Sequence, residues 1–195
     1  MALAQGHAPM MTVAQFQARP DGSDARHELV DGAVHTMVPP PDEHGEVRAN
    51  LVLAIHPHLK PPCRLVTGAG VPIDQRNYFQ ADLVIRSGLR EPQGQPAPPA
   101  VVIEVLSPAT MSFDLACKLL RYTELPSVQE IWMVDSSRAW VQVWQRQEAH
   151  WSVEMVSGSA RFRSAFLGAE IALDQVYAGV AFRPETDDDA DAVGL

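Results

Sequence analysis

Cysteine is scarce in this chain: Cys63 and Cys117 are the only two and form no CxxC pair, so neither a disulfide framework nor a thiolate zinc site is on offer. Both read as free, packed thiols. Long apolar runs are missing too, since no stretch approaches the roughly 18 uninterrupted apolar residues of a membrane span. Met1 to Met11 has neither a basic leader nor a sustained apolar run, so the expectation is a cytoplasmic protein without signal peptide or membrane anchor. Basic charge is short: 15 Lys and Arg face 24 Asp and Glu, for a net charge of -9. That balance argues against tight phosphate binding, which depends on Lys and Arg. The deficit is uneven, however. Glu185, Asp187, Asp188, Asp189 and Asp191 lie in a tail without a basic residue, and removing those five acids from the net charge of -9 leaves -4 for the body. Basic surface in that body is expected from Arg86, Arg90, Lys118 and Arg121. With 195 residues, 46% of them hydrophobic, the chain suits one domain with a real core. The expected organisation is a single domain over residues 1–183 and a disordered acidic tail over 184–195.

Strand and helix signals alternate along the body. Thr12 can cap a short helix through Arg19, closed by Pro20, Asp21 and Gly22. His27 to Val30 and Ala33 to Val38 flank Asp31-Gly32, a dipeptide suited to a tight hairpin turn. After Pro39 to Pro41, a helix starts at Asp42 with Val47, Leu51, Ala54 and Ile55 at helical spacing, and Pro57 ends it. Arg64 to Thr67, Val71 to Ile73 and Ala81 to Ile85 read as strands, and Ser87 to Pro99 as a flexible excursion. Ala100 to Leu106 is apolar without alternation except at Glu104, the pattern of a central strand covered on both faces. A helix over Met111 to about Leu125 follows, with Leu115, Leu119 and Leu120 expected toward the core. Glu130 to Asp135, Trp140 to Trp144 and Trp151 to Met155 complete the main strands, the last two as a hairpin. Trp132, Trp140, Trp144 and Trp151 are expected to pack in the core or on a sheet face. The pattern is that of an α/β domain with a mixed central sheet flanked by helices.

Two carboxylates interrupt this apolar material. Asp82 opens Asp-Leu-Val-Ile, and Glu104 stands inside Val-Val-Ile-Glu-Val-Leu. A charged carboxylate in a central strand must be protonated, paired with a cation or bound to metal. Hard divalent ions such as magnesium prefer such oxygens, and two adjacent strands can converge them on one ion. The simpler alternative has Asp82 at a strand end and Glu104 paired with an arginine. Asp114, Lys118 and Tyr122 recur at steps of four and share one helix face. A helix folded back over the end of the Glu104 strand can aim Lys118 at that site, where it would orient water and offset phosphate charge. An exposed Asp-Lys ion pair would use the same residues.

Asp82-Leu-Val-Ile, Val102-Ile-Glu-Val-Leu-Ser-Pro108, the Asp114, Lys118 and Tyr122 triplet and Ile131-Trp-Met-Val-Asp135 together resemble the Uma-two family of restriction endonucleases, a branch of the PD-(D/E)XK superfamily. His27-Glu-Leu-Val-Asp-Gly32, His44 and the segment from Ala169 to Val180 extend the resemblance over most of the chain. The resemblance implies a restriction-endonuclease-like fold and metal-dependent cutting of DNA, with the sugar 3′ oxygen as leaving group. Carried over by position, Asp82 and Glu104 hold magnesium or manganese with the Val105 backbone carbonyl as a third ligand, and Lys118 is the catalytic lysine. Glu28 is the early acidic residue, for a second metal or for orienting water. The sequence departs from the superfamily pattern at Ala81, where a proline is usual, and at Leu106, where the lysine of Glu-X-Lys would stand. Lys118, 14 residues beyond Glu104, is then a lysine that has migrated to the helix. His44 is a weaker candidate for DNA contact, and His56-Pro-His58 lacks the further ligand that a zinc site needs. DNA is the expected partner, with a homodimer as the default assembly. Other readings are a nuclease-fold module that no longer cuts and serves binding or regulation, and a small-molecule hydrolase on the same metal site.

Overall fold

The computed structural model describes residues 10–19, 26–88 and 96–182. The turn at Pro20 to Gly22, Arg90 with most of the Ser87 to Pro99 excursion, and the acidic tail lie outside the described residues. Among them, no helix is long and apolar enough to cross a membrane.

Local chemistry sets the first elements. Helix α1 (Val13–Gln17) opens on a reciprocal cap: the Gln15 N–H donates to Thr12 Oγ1 and the Thr12 N–H donates to the Gln15 side chain. Strands β1 (His27–Val30) and β2 (Ala33–Thr36) form the expected hairpin, with Asp31 at φ 48° and Gly32 at φ 83° supplying the left-handed turn. Helix α2 (Asp42–Ile55) carries Asp42 and Glu43 in its first turn, favoured at the positive end of the helix dipole, and buries Val47, Leu51, Ala54 and Ile55. His56–His58 tightens into a 3-10 turn.

The centre is an eight-stranded sheet in the order β2-β1-β4-β5-β6-β7-β8, with β3 also paired to β4. Strand β3 (Arg64–Pro72) is one element where the sequence suggested two, because Gly68 at φ 57° absorbs the irregularity and pairing with β4 (Tyr78–Arg86) resumes beyond it. All eight residues of β5 (Pro99–Leu106) are buried. Their alternation feeds two cores: Val101, Ile103 and Val105 pack with α2, while Val102 and Leu106 pack with Leu119 and Tyr122. Strand β6 (Glu130–Asp135) runs parallel to β5, so the chain crosses over between them through a helical segment. That segment is α3 (Met111–Phe113), a π-helical turn over Asp114–Lys118 and α4 (Leu119–Glu124). Leu119 turns inward as expected, but Leu120 is 56% exposed, because the π turn shifts the helical phase and puts Tyr122 in the core instead.

Strands β7 (Trp140–Arg146) and β8 (Trp151–Ser157) extend the sheet, and β9 (Arg161–Ser164) with β10 (Ala169–Ala172) forms a separate hairpin ahead of α5 (Leu173–Val176). Trp132 is fully buried, and Trp140, Trp144 and Trp151 pack half-buried against the second core. Glu130 ties this end together, accepting from the Trp132 indole at 3.0 Å, Ser164 Oγ at 2.8 Å and the Phe166 N–H at 2.8 Å. Glu130→Ala leaves these buried donors unpaired, and urea denaturation should show a loss of about 2–5 kcal/mol.

Candidate active site

The pairing of Leu83 with Ile103 sets Asp82 of β4 beside Glu104 of β5. The Asp82 N–H donates to Glu104 Oε2 at 3.2 Å, and the Val105 N–H donates to Asp82 Oδ2 at 3.0 Å. Asp82 and Glu104 are 6% and 2% exposed, so the two carboxylates that stood out in the sequence converge out of bulk water. Val105 reaches the pair through its N–H. A strand-end Asp82 beside an arginine-paired Glu104 is not what forms, because the cation at Glu104 is Lys118.

The π turn delivers that lysine. Its wider ring, closed by the Leu119 N–H on the Asp114 carbonyl, turns Asp114 and Lys118 toward the sheet. Lys118 Nζ lies 2.8 Å from Glu28 Oε1, 3.2 Å from Asp114 Oδ1 and 3.4 Å from Glu104 Oε1, with its side chain 3% exposed. An exposed Asp-Lys pair is therefore ruled out. Tyr122, one turn on, donates its hydroxyl to Glu104 Oε1 at 2.7 Å. Glu28 also accepts from the Gln80 N–H at 2.8 Å, which fixes it behind the lysine.

Two further side chains complete the cluster. His44, in the first turn of α2, is buried and holds Asp82 Oδ2 through Nε2 at 3.2 Å; its Nδ1 is buried without a partner among the described residues. Its setting is thus unlike the solvated position that a first-turn histidine usually takes. Arg26, just before β1, places Nη1 4.0 Å from Asp82 Oδ1 and leaves Nη2 buried and, among the described residues, unpaired. The sequence reading passed over Arg26 and gave Asp114 no role beyond its helix face. Arg86, expected on the surface, is 5% exposed and donates to the carbonyls of Gly70 and Ala97, a structural task.

Environment separates the two acids. Burial works to raise Asp82, but the hydrogen bond and charge of His44 and the Val105 N–H outweigh it and hold the carboxyl below its ordinary range. Burial pushes the Glu104 carboxyl up to about 8 against the pull of Lys118, with Asp82 and Asp114 adding to the rise. Burial likewise raises Asp114. Burial alone would lower Lys118, yet Glu104, Asp114 and Glu28 reverse this and raise it, so the lysine stays charged.

Above this cluster opens a cavity of about 450 Å³. Asp82, Glu104, Asp114 and Lys118 line it, Arg26 and His44 flank them, and the segment from Met37 to Pro41 forms an apolar wall. Glu28 does not line it. Among the described residues no three His, Cys, Asp or Glu side chains are arranged to hold a metal ion. A magnesium-type ion keeps most of its waters and needs only one or two carboxylates. Asp82 and Glu104 meet that demand: among the described residues Asp82 Oδ1 has no partner nearer than Arg26 at 4.0 Å, and an added cation would favour ionisation of Glu104.

A protein-family model, Uma2, described as "Putative restriction endonuclease", matches residues 13–174. An uncharacterized protein of Synechocystis sp. is 24% identical over 163 residues, covering 80% of this chain and 86% of its own length. A crystal structure described as a putative nuclease belonging to DUF820, from Anabaena variabilis, superposes with a TM-score of 0.72 at 17% identity, covering 88% of this chain and 99% of that one.

Proposed function

This chain belongs to the Uma2 family and has a restriction-endonuclease-like α/β fold, and from that membership and the buried cluster we propose that it is a metal-dependent endonuclease hydrolysing DNA phosphodiester bonds. The observation that carries the reading is Lys118 within 3.4 Å of Glu104, beside Asp82, at the floor of an open cavity. Asp82 and Glu104, with the Val105 carbonyl as a third donor, would hold magnesium or manganese. Such an ion polarises a phosphate oxygen and lowers the pKa of bound water. Lys118, held charged by three carboxylates, stabilises the negative charge that grows on the phosphate. Glu28 and Asp114 position the lysine, and His44 orients Asp82. In the reaction a water oxygen bonds to phosphorus as the water releases a proton to solvent, the bond from phosphorus to the sugar 3′ oxygen breaks, and the 3′ oxygen takes up a proton from solvent and leaves as a hydroxyl.

Arg26 is the group best placed to grip a neighbouring phosphate oxygen, since Nη2 is a buried donor without a partner among the described residues. Arg26→Ala should raise KM for DNA by roughly tenfold while leaving kcat within a few-fold, the loss of one charge-assisted contact. Steady-state cutting of a labelled oligonucleotide across substrate concentrations checks this. An equal fall in kcat with KM unchanged would place Arg26 in the chemical step instead.

A nuclease fold that binds without cutting has one observation in its favour. Both Glu104 oxygens already accept hydrogen bonds, from Asp82, Tyr122 and Lys118, so that carboxylate is satisfied without an added ion. Incubation with DNA under magnesium, manganese and chelator separates the two readings.

A further inference from the structure

The shape of the cavity bears on which DNA can reach the acids. Asp82, Glu104 and Lys118 expose only 8%, 2% and 3% of their side chains, so a phosphate must enter the cavity to meet them. Its volume, about 450 Å³, falls within the range that holds one small ligand, on the order of 300–1,000 Å³. A duplex cannot follow a phosphate into such a space, whereas an unpaired nucleotide can leave the strand's path at little cost. The wall agrees with this. Met37 and Val38 run into Pro39, Pro40 and Pro41, whose fixed φ values hold an extended apolar strip in place. Such a strip offers a base or sugar a surface without demanding a particular hydrogen-bond edge.

The charge distribution points the same way. Duplex affinity comes from Lys and Arg spread along the backbone track. The chain has two lysines, Lys60 and Lys118, and Lys118 is buried. Arg86 is bound to carbonyls, and Arg121 lies against Asp31, Asp74 and Glu124. Among the described residues, Arg26 and Lys118 are the lysine and arginine side chains lining the cavity. Two such groups suit one phosphate.

We infer that the cavity takes one unpaired nucleotide, its phosphate between Arg26 and Lys118 and its base or sugar against the Met37 to Pro41 wall, so that the substrate is single-stranded or locally unpaired DNA. This rests on the nuclease reading and narrows it. The test uses labelled oligonucleotides of one sequence as a single strand, a full duplex and a duplex with a central unpaired bubble. Binding is followed by fluorescence anisotropy with calcium, and cutting is mapped with magnesium or manganese. The single strand and the bubble should bind roughly tenfold more tightly than the duplex, with cuts confined to unpaired positions. Val38, 71% exposed on the wall, can be changed without disturbing the core. Val38→Asn, which removes the apolar contact without adding charge, should weaken single-strand binding several-fold and leave the duplex unaffected. A duplex bound and cut as well as the single strand would overturn the inference. Binding without any cutting would count against the nuclease reading alone, because the binding preference still decides this one.

Discussion

Lys118→Met should be both inactive and markedly less stable. The substitution keeps the unbranched stem as far as Cε but removes the ammonium that faces Glu28, Asp114 and Glu104 within 3.4 Å. Leaving buried acids without their counter-charge costs about 3–5 kcal/mol. The penalty should grow with pH. The raised Glu104 and Asp114 carboxyls rise further without the ammonium, so they fold protonated in acid and are forced to ionise in place as the pH climbs. Cutting should fall by about 10²–10⁴ or more, the range for a group acting directly on the reacting atoms. Lys118→Arg should rescue little, since a planar fork does not fit a site built around one compact ammonium. Urea denaturation at several pH values and single-turnover cutting report the two effects. Parent-like activity in Lys118→Met would remove the lysine from the chemistry.

Metal affinity should rise with pH and disappear with either acid. Folding lifts Glu104 to about 8 from the ordinary 4.5, so between those values the folded metal-free protein holds a proton that the unfolded chain has released. The stability from that proton is fully present below about 4.5 and lost as the pH rises through about 8. A divalent ion displaces the proton, so affinity should climb roughly tenfold per pH unit up to that point and level off beyond it. Calorimetry in buffers of different ionisation enthalpy counts the proton released. Asp82→Ala and Glu104→Ala should each weaken magnesium or manganese binding by about 100-fold or more. Unchanged binding in both variants would mean that the ion sits elsewhere.

Much of this site was legible before the fold was known. Uninterrupted apolar strands made Asp82 and Glu104 conspicuous, and their register on β4 and β5 brings them together as that pattern required. The step of four from Asp114 to Lys118 and Tyr122 also survives, as one buried face gathered around Glu104 and Lys118. The π turn was not legible, since an extra residue in a helical turn leaves no mark in hydrophobic spacing. Its cost was the misplacement of Leu120. His44 joins Asp82 across 38 residues of sequence, a contact set by tertiary packing alone. Arg26 did carry a signal. It precedes Glu28 by two residues, and the period of an extended chain puts both on one side. Arg86 misled because charge suggests surface, whereas the carbonyls of Gly70 and Ala97 can hold a guanidinium inside.

The most direct test of the central claim is cutting of single-stranded and plasmid DNA by the purified full chain in magnesium, manganese and excess chelator, with Asp82→Asn run alongside. Metal-dependent nuclease action requires cutting in magnesium or manganese, none in chelator, and a loss of about 100-fold or more in the variant. Cutting that persists in chelator, or that Asp82→Asn leaves intact, would contradict it.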